Sequence, residues 1–365
     1  GITYQYKVVD LAGNETESSK YTLRIDSKPP VVTSPAVQPD TFINAETGKT
    51  ATITFKASDA ESGIYAGSVK IQRIEGADGS AVTDEAKTVS VENGVYTYTE
   101  IFAAGKYRVT VQDVSGRESS QDVTVNKYDD QIPSITNVTA LGNTGNGNWN
   151  NTGVTVTVTA NDASVTADSV KSGLAKLQYA YNSRDDWKDV EWDTVSGALT
   201  VTIDQDGKNT VYLRVVDKAG NISEVKGIVV WIDEDIPELK VEATSDGSTY
   251  IEDTYATKPV EFKLSVTNQD ELESDVHYEI QLDDGTWTDI ENYFVGKEGY
   301  YWDAQTNTLT VGYNVSDNFA VDSDFHFRAV TGSGQTKEVD FGQVKVSIIN
   351  VAEPEITVAP AAAEW

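Results

Sequence analysis

From Val211 to Val215 every second residue is aliphatic: Val211, Leu213 and Val215 fall on one face, and Tyr212, Arg214 and Val216 on the other. A period of two is the mark of a β-strand with one buried face. The same alternation runs through 50–57 and 154–160, and further strands are expected over 174–181, 225–232 and 276–282. Helical periodicity is scarce throughout. The longest apolar run, Ile228 to Ile232, is a strand's length and far too short to span a bilayer.

The strand at 211–217 ends in a motif that recurs. Tyr4 leads to Asp10, Leu11, Ala12, Gly13 and Asn14. Tyr107 leads to Asp113, Val114, Ser115, Gly116 and Arg117. Val211 leads to Asp217, Lys218, Ala219, Gly220 and Asn221. A fourth copy is degenerate, running from Phe325 to Thr331, Gly332, Ser333, Gly334 and Gln335. The spacings from Asp10 are 103, 104 and then 114 to Thr331. Pro30, Pro133, Pro237 and Pro354 form a second series, spaced by 103, 104 and 117, each after an acidic or polar hinge and before an aliphatic strand start. Two independent series with one period define a repeat, and about 100 residues is the length of one immunoglobulin-type sandwich. The Gly-Asn pair predicts a tight hairpin, since both residues tolerate positive φ; its two strands correspond to strands F and G of such a sandwich.

The expected fold is therefore all-β, with tandem immunoglobulin-like β-sandwich domains arranged as an elongated rod. Residues 1–28 are read as the closing hairpin of a preceding repeat. Residues 29–128, 129–233 and 234–350 are three complete repeats, the last of them divergent, and 351–365 is a hinge or tail. The chain opens inside a strand-like segment, with no leader and no C-terminal sorting motif, so a longer parent protein is expected.

Charge narrows the function. With 58 acidic and 28 basic residues the net charge is −30, which disfavours nucleic acids and anionic membranes as partners. Cysteine and methionine are both absent, so disulfides, thiol catalysis and thiolate metal sites are excluded. An exported protein without disulfides suits a Gram-positive surface. The two histidines, His277 and His326, fall on expected neighbouring strands of the last repeat, yet no Ser-His-Asp order, phosphate loop or His-Glu-x-x-His appears. The chain is read as no enzyme. No recurring Lys, Asn and acid set points to an isopeptide crosslink.

Beyond the hairpin, Ala57, Asp59, Ser62, Gly63 and Ile64 are echoed by Ala160, Asp162, Ser172, Gly173 and Leu174, and an Asn-Trp-Asn-Asn run precedes Val154. With the Asp-x-Ala-Gly-Asn hairpin, this pattern resembles the bacterial immunoglobulin-like (Big-type) tandem repeats of large cell-surface adhesins. The resemblance covers most of the chain. It implies an extracellular location at a bacterial cell surface, wall-anchored or secreted, where such repeats serve as stalks, adhesive tips and enzyme-attached modules alike; a monomeric rod is expected. In such a sandwich the hinge before a repeat lies beside that repeat's own loops. Asp26 should then meet Asp59 and Asp113, and Asp129 and Asp130 should meet Asp162 and Asp217. Converging carboxylates are a hard-oxygen environment suited to Ca²⁺, and the resemblance implies calcium-stiffened junctions. The competing reading is that each Asp caps its own turn. The last hinge carries Asp233, Glu234 and Asp235, but Asn268 and Thr331 replace the loop aspartates and Asp275 replaces the glycine, so the weakest calcium site, or none, is expected there.

The last repeat also carries Tyr293, Phe294, Tyr300, Tyr301 and Trp302 in the stretch that lengthens its period. These aromatics either cover an enlarged core or bind a host glycan, mucin or protein such as an immunoglobulin. Trp187 and Trp287, at matching places, are expected to pack on their sheets. Two functional readings stand: a stalk or spacer, and a host-binding module centred on 234–350.

Overall fold

The computed structural model describes residues 1–33, 35–46, 50–142, 148–192, 197–282 and 285–349. The hinge or tail expected at 351–365 lies outside them. The described chain is all-β, built of small and mainly antiparallel sheets, with one α-helix, Ile290–Tyr293, among the described residues. The expected strands are present as Ala51–Phe55, Val154–Asn161, Leu174–Tyr181, Lys226–Ile232 and Val276–Gln281.

By compactness the chain divides into two units. One comprises Gly1–Val138, Thr157–Leu199 and Tyr212–Gly227; the other comprises Thr139–Val156, Thr200–Val211 and the chain from Ile228.

The first unit contains two four-stranded sheets around one core. Ala51, Ile53 and Phe55 come from one sheet, and Ile71, Val109 and Val111 from the other; all are buried. Alternation explains the burial: Ala51–Phe55 has every second side chain inside, and so does Gly105–Gln112. Tyr107, in the same strand, spends its phenol on the Ala103 carbonyl at 2.8 Å. Burial raises its pKa well above the ordinary tyrosine value. The opening hairpin pairs Ile2–Tyr4 with Tyr21–Leu23 and Lys7–Val9 with Glu15–Glu17. Tyr4, Tyr6 and Val8 stand where Tyr107, Val109 and Val111 stand one period later, yet they are exposed.

In the second unit two five-stranded sheets enclose an aromatic core. Phe262 of one sheet stacks on Phe325 of the other, ring centroids 5.5 Å apart, and meets Phe341 edge-on at 4.9 Å. Phe325–Thr331 lies within a 13-residue strand paired with Thr336–Ile348. His277 and His326 are not brought together. The register sets His277 opposite Val330 and His326 opposite Gln281, and their respective acidic neighbours are Glu279 and Asp340.

The repeat is visible in the pairing as well as the sequence. A short segment pairs in parallel with a later stretch of chain three times: Ile43 with Tyr128 as a single bridge beyond the Glu118–Val125 strand, Trp149–Asn150 with Trp231–Ile232, and Tyr255–Ala256 with Lys345–Val346. Trp149 is buried against Trp231 in this way, with Lys208 over both rings. Trp187 and Trp287 lie on their sheets, each covered by an arginine, Arg214 at 4.0 Å and Arg328 at 4.6 Å from the ring centroid.

Phe262 is fully buried between two sheets. Phe262→Ala should cost about 3–5 kcal/mol, through lost transfer energy and the cavity left behind. Urea denaturation followed by tryptophan fluorescence measures it, and Val295→Ala, at an exposed position, should stay within ~0.5 kcal/mol of wild type.

Candidate metal sites at two acidic clusters

The hairpin motif builds one side of each cluster. In every copy the backbone of the first residue pairs with that of the fifth: Asp113 N–H with the Arg117 carbonyl, Asp217 with Asn221, Thr331 with Gln335. The glycine takes positive φ, +93° at Gly116 and +98° at Gly220, a region open to glycine without a Cβ penalty. The asparagine serves another purpose than the one expected of it, for neither Asn14 nor Asn221 is among the positive-φ residues. Its side chain is used instead. Asn221 Nδ2 donates to Asp217 Oδ2 at 2.8 Å and to the Asp129 carbonyl at 2.9 Å, while its Oδ1 accepts from Asn44 Nδ2 at 2.8 Å.

The aspartate caps the backbone of its own turn through Oδ1. Asp217 Oδ1 accepts from the Gly220 and Asn221 amides. Asp113 Oδ1 accepts from the Arg117 amide and the Ser115 hydroxyl. Asp113 Oδ2 is left buried with no hydrogen-bond partner. Turn-capping therefore leaves one oxygen of Asp113 open to the cluster, whereas at Asp217 the second oxygen also bonds the Asn221 side chain.

Asp26, Asp59 and Asp113 form the first cluster, and Asp129, Asp162 and Asp217 the second; within each, one carboxylate oxygen per residue lies within 4.8 Å of the others. Asp59 Oδ1 accepts from three successive amides, Glu61, Ser62 and Gly63. Asp26 accepts from the Ser62 hydroxyl, which holds its carboxyl below the usual carboxylate range. In the second cluster all three residues are buried. Asp129 accepts from the Ser169 hydroxyl at 2.8 Å and the Ser172 amide at 2.7 Å. Asp162 accepts from the Ala163 and Gly173 amides. Asp130 stands outside the cluster, its carboxylate taken by the Gln131 side chain and its amide donated to Ser169 Oγ. The sequence marks Ser62, Ser172 and Asn221 as motif residues without their bonding role, and Ser169 carries no mark at all. The Ser-Gly pairs at 62–63 and 172–173 were the available signal.

The second cluster is electrostatically costly as it stands. Two like charges 4.8 Å apart repel by ~3 kcal/mol at an effective dielectric constant of about 20. Burial raises the carboxyls of both Asp162 and Asp217, and the charge of Asp129 raises them further, against the pull of their amide and Asn221 hydrogen bonds. Three fixed carboxylate oxygens at each cluster are the donor type that a hard metal ion takes.

The third hinge differs. Asp233 is buried, and its Oδ2 accepts from the amide and hydroxyl of Ser274. The Gly332 amide reaches the Asp275 carbonyl, as Val114 reaches Gly63 and Lys218 reaches Gly173, so Asp275 does occupy the glycine's place. Thr331 Oγ1 takes over the cap, accepting from the Gln335 amide at 3.0 Å. Asn268 turns to the hinge backbone, bonding the Glu238 amide and the Ile236 carbonyl. Among the described residues no third group of three carboxylates forms.

The aromatics of the last repeat divide. Phe294 is buried and stacks on Tyr300 at 4.6 Å; Tyr293, Tyr300 and Trp302 pack against the same core. Tyr301 faces outward, stacked on Tyr313 at 4.6 Å, and the pair is 45% and 46% exposed.

No family model and no curated protein matches the chain. Among solved structures it is similar to part of a 1.5-MDa bacterial ice-binding adhesin, at 15% identity, covering 89% of this chain and 100% of that one, with a TM-score of 0.36. A Ca²⁺-stabilised adhesin with which an Antarctic bacterium binds ice gives 15% identity, 95% and 81% coverage and 0.36. Titin domains A168–A170 give 11%, 86% and 99%, and 0.28. At such scores these likenesses decide nothing about function. The described chain is built of small β-sheet modules, and among its described residues no helix is long and apolar enough to cross a membrane.

The raised carboxyls set a pH dependence. A carboxyl whose pKa is higher folded than unfolded stabilises the fold below the unfolded value, and that stability is lost as pH rises through the folded value. With metal chelated, Asp217→Asn should therefore gain on wild type as pH climbs from about 4, the ordinary aspartate range, toward neutrality. Thermal melting of both proteins in EGTA across that range checks the difference; a variant that loses ground on wild type as pH rises would contradict the assignment.

Proposed function

We propose that the chain is a spacer segment of a bacterial cell-surface adhesin, whose modules, 29–128, 129–233 and 234–350 after the closing hairpin 1–28, are tandem immunoglobulin-like sandwiches with calcium at the first two junctions. The observation that carries this reading is the recurrence of one carboxylate triad, with the same three sources, one period apart: hinge, strand end and hairpin. Ca²⁺ takes six to eight oxygens, and the orphan oxygen of Asp113 with its two neighbouring aspartates supplies part of such a shell. Absence of cysteine, a net charge of −30 and the Big-type motifs support an extracellular, soluble, monomeric stalk.

Calorimetric titration of the chain with CaCl₂ should detect two sites, one removed by Asp113→Asn and the other by Asp217→Asn, and calcium should raise the melting temperature. No heat of binding and an unchanged melting temperature between EGTA and millimolar calcium would refute the calcium reading.

A host-binding role for 234–350 has one supporting observation, the outward Tyr301–Tyr313 stack. If that pair is a sugar platform, a glycan array probed with the chain should give signals that Tyr301→Ala abolishes. A silent array favours the spacer alone.

A further inference from the structure

Three positions separate Asp59 from Ser62, but ten separate Asp162 from Ser172. The second module thus carries seven extra residues between its strand end and its Ser-Gly pair. They fold onto the end of the preceding module. A tight turn forms first, the Thr166 amide bonding the Ser169 carbonyl at 3.0 Å. The Ala167 carbonyl then accepts from the Ala77 amide at 2.8 Å, the Asp168 carbonyl accepts from the Ala104 amide at 2.7 Å, and the Val170 amide donates to the Tyr128 carbonyl at 3.0 Å. The Val170 side chain packs against the core that holds Ile71, Tyr107 and Tyr128.

Arg73 shows what this contact is for. It is 6% exposed, and its own module offers it only the Ala104 carbonyl at 2.9 Å and Asp84 at 4.0 Å. A guanidinium withdrawn from water needs its donors filled. The loop fills them: Asp168 Oδ1 lies 2.7 Å from Nη1, and the Ala167 carbonyl accepts from Nη2. The backbones approach closely at Gly76, where an added Cβ would stand 3.0 Å from Ala167 Cα as well as 2.8 Å from Ser80 Oγ and 2.9 Å from Asp78 Oδ1. Backbone bonds, core packing and a buried charge all converge on the same eight residues.

We propose that the 163–170 loop is a docking element whose partner is the open end of the module before it, holding that junction closed without metal. The proposal rests on the modular division above and not on calcium; the triad at Asp129 would act on a joint already formed. Amide hydrogen exchange on the whole chain, in EGTA and in calcium, tests it. In EGTA the wild-type amides of Ala77, Ala104 and Val170 should exchange on the order of a hundredfold more slowly than exposed loop amides. Arg73→Ala should speed Ala77 and Ala104 by about tenfold or more, while the strands Ala51–Phe55 and Val154–Asn161 keep wild-type rates and report that both modules stay folded. If Arg73→Ala does not fold, Asp168→Asn, at a surface carboxylate, should give a smaller change of the same sign. Loop-like exchange of the three wild-type amides in EGTA, with protection appearing only in calcium, would overturn the proposal, as would an Arg73→Ala profile identical to wild type. Identical slow exchange with and without calcium would count against calcium at this joint and leave the docking element standing.

Discussion

A carboxylate has two oxygens, and the hairpin turn needs one. That surplus underlies the chemistry of this chain. Asp113 and Asp217 each close a five-residue turn through Oδ1, which fixes the side chain and the place of Oδ2. At Asp217 the second oxygen meets Asn221; at Asp113 it meets nothing. The turn thus does the positioning that a binding site needs, at no further cost in side-chain entropy. The hinge aspartates, Asp26 and Asp129, are fixed in the same economical manner by hydroxyls and amides from the Ser-Gly segment. Each triad is preorganised by groups that the fold requires for its own connections.

This explains what was readable along the sequence. Strands and hairpins were legible because period-two burial and the Asp-to-Gly motif are local signals; Ala51–Phe55 and Val154–Asn161 stand where alternation put them. The grouping of the six aspartates was legible from the period and from the general plan of a sandwich. Asp130 was not separable from Asp129 by sequence, since neighbouring residues on an extended segment point opposite ways and only the Ser169 contact decides which one enters. The role of Asn221 was equally hidden. Its enrichment after glycine suggested backbone conformation, whereas its use is a three-way side-chain bridge among Asp217, Asp129 and Asn44. The seven extra residues before Ser172 were countable, but their partner, Arg73, lies about 95 positions upstream and carries no motif.

The first two hinges therefore combine opposed forces. Clustered carboxylates repel one another over a few ångströms, and a chain with a net charge of −30 adds a diffuse repulsion of the same sign. Against this stand neutral contacts insensitive to salt: the Asn44–Asn221 pair, the backbone bonds of the 163–170 loop, and Val170 on the first core. Among the described residues the first hinge shows fewer of these. Its additional polar links are Arg117 to the Asp26 carbonyl and Glu61 to Ser27, both at exposed positions, where hydrogen bonds and charges contribute less. Of the two triads, the one at Asp26 has less neutral support and depends more on whatever neutralises its charge.

The third hinge reaches the same end by removing charge. Thr331 keeps the capping bond of the aspartate it replaces, because a hydroxyl oxygen accepts the Gln335 amide as a carboxylate would. What it drops is the second oxygen. The neighbourhood changes in concert: Ser333 bonds Thr331, Ser274 bonds Asp233, and Asn268 turns away to bind the hinge backbone. One buried carboxylate remains where the second hinge has three, so mutual repulsion within the cluster is gone, while Asp233 Oδ1 stays buried without a hydrogen-bond partner. Degeneration of the motif is thus a coherent substitution of hydroxyls for carboxylates, in which the turn survives because its geometry never depended on the charge.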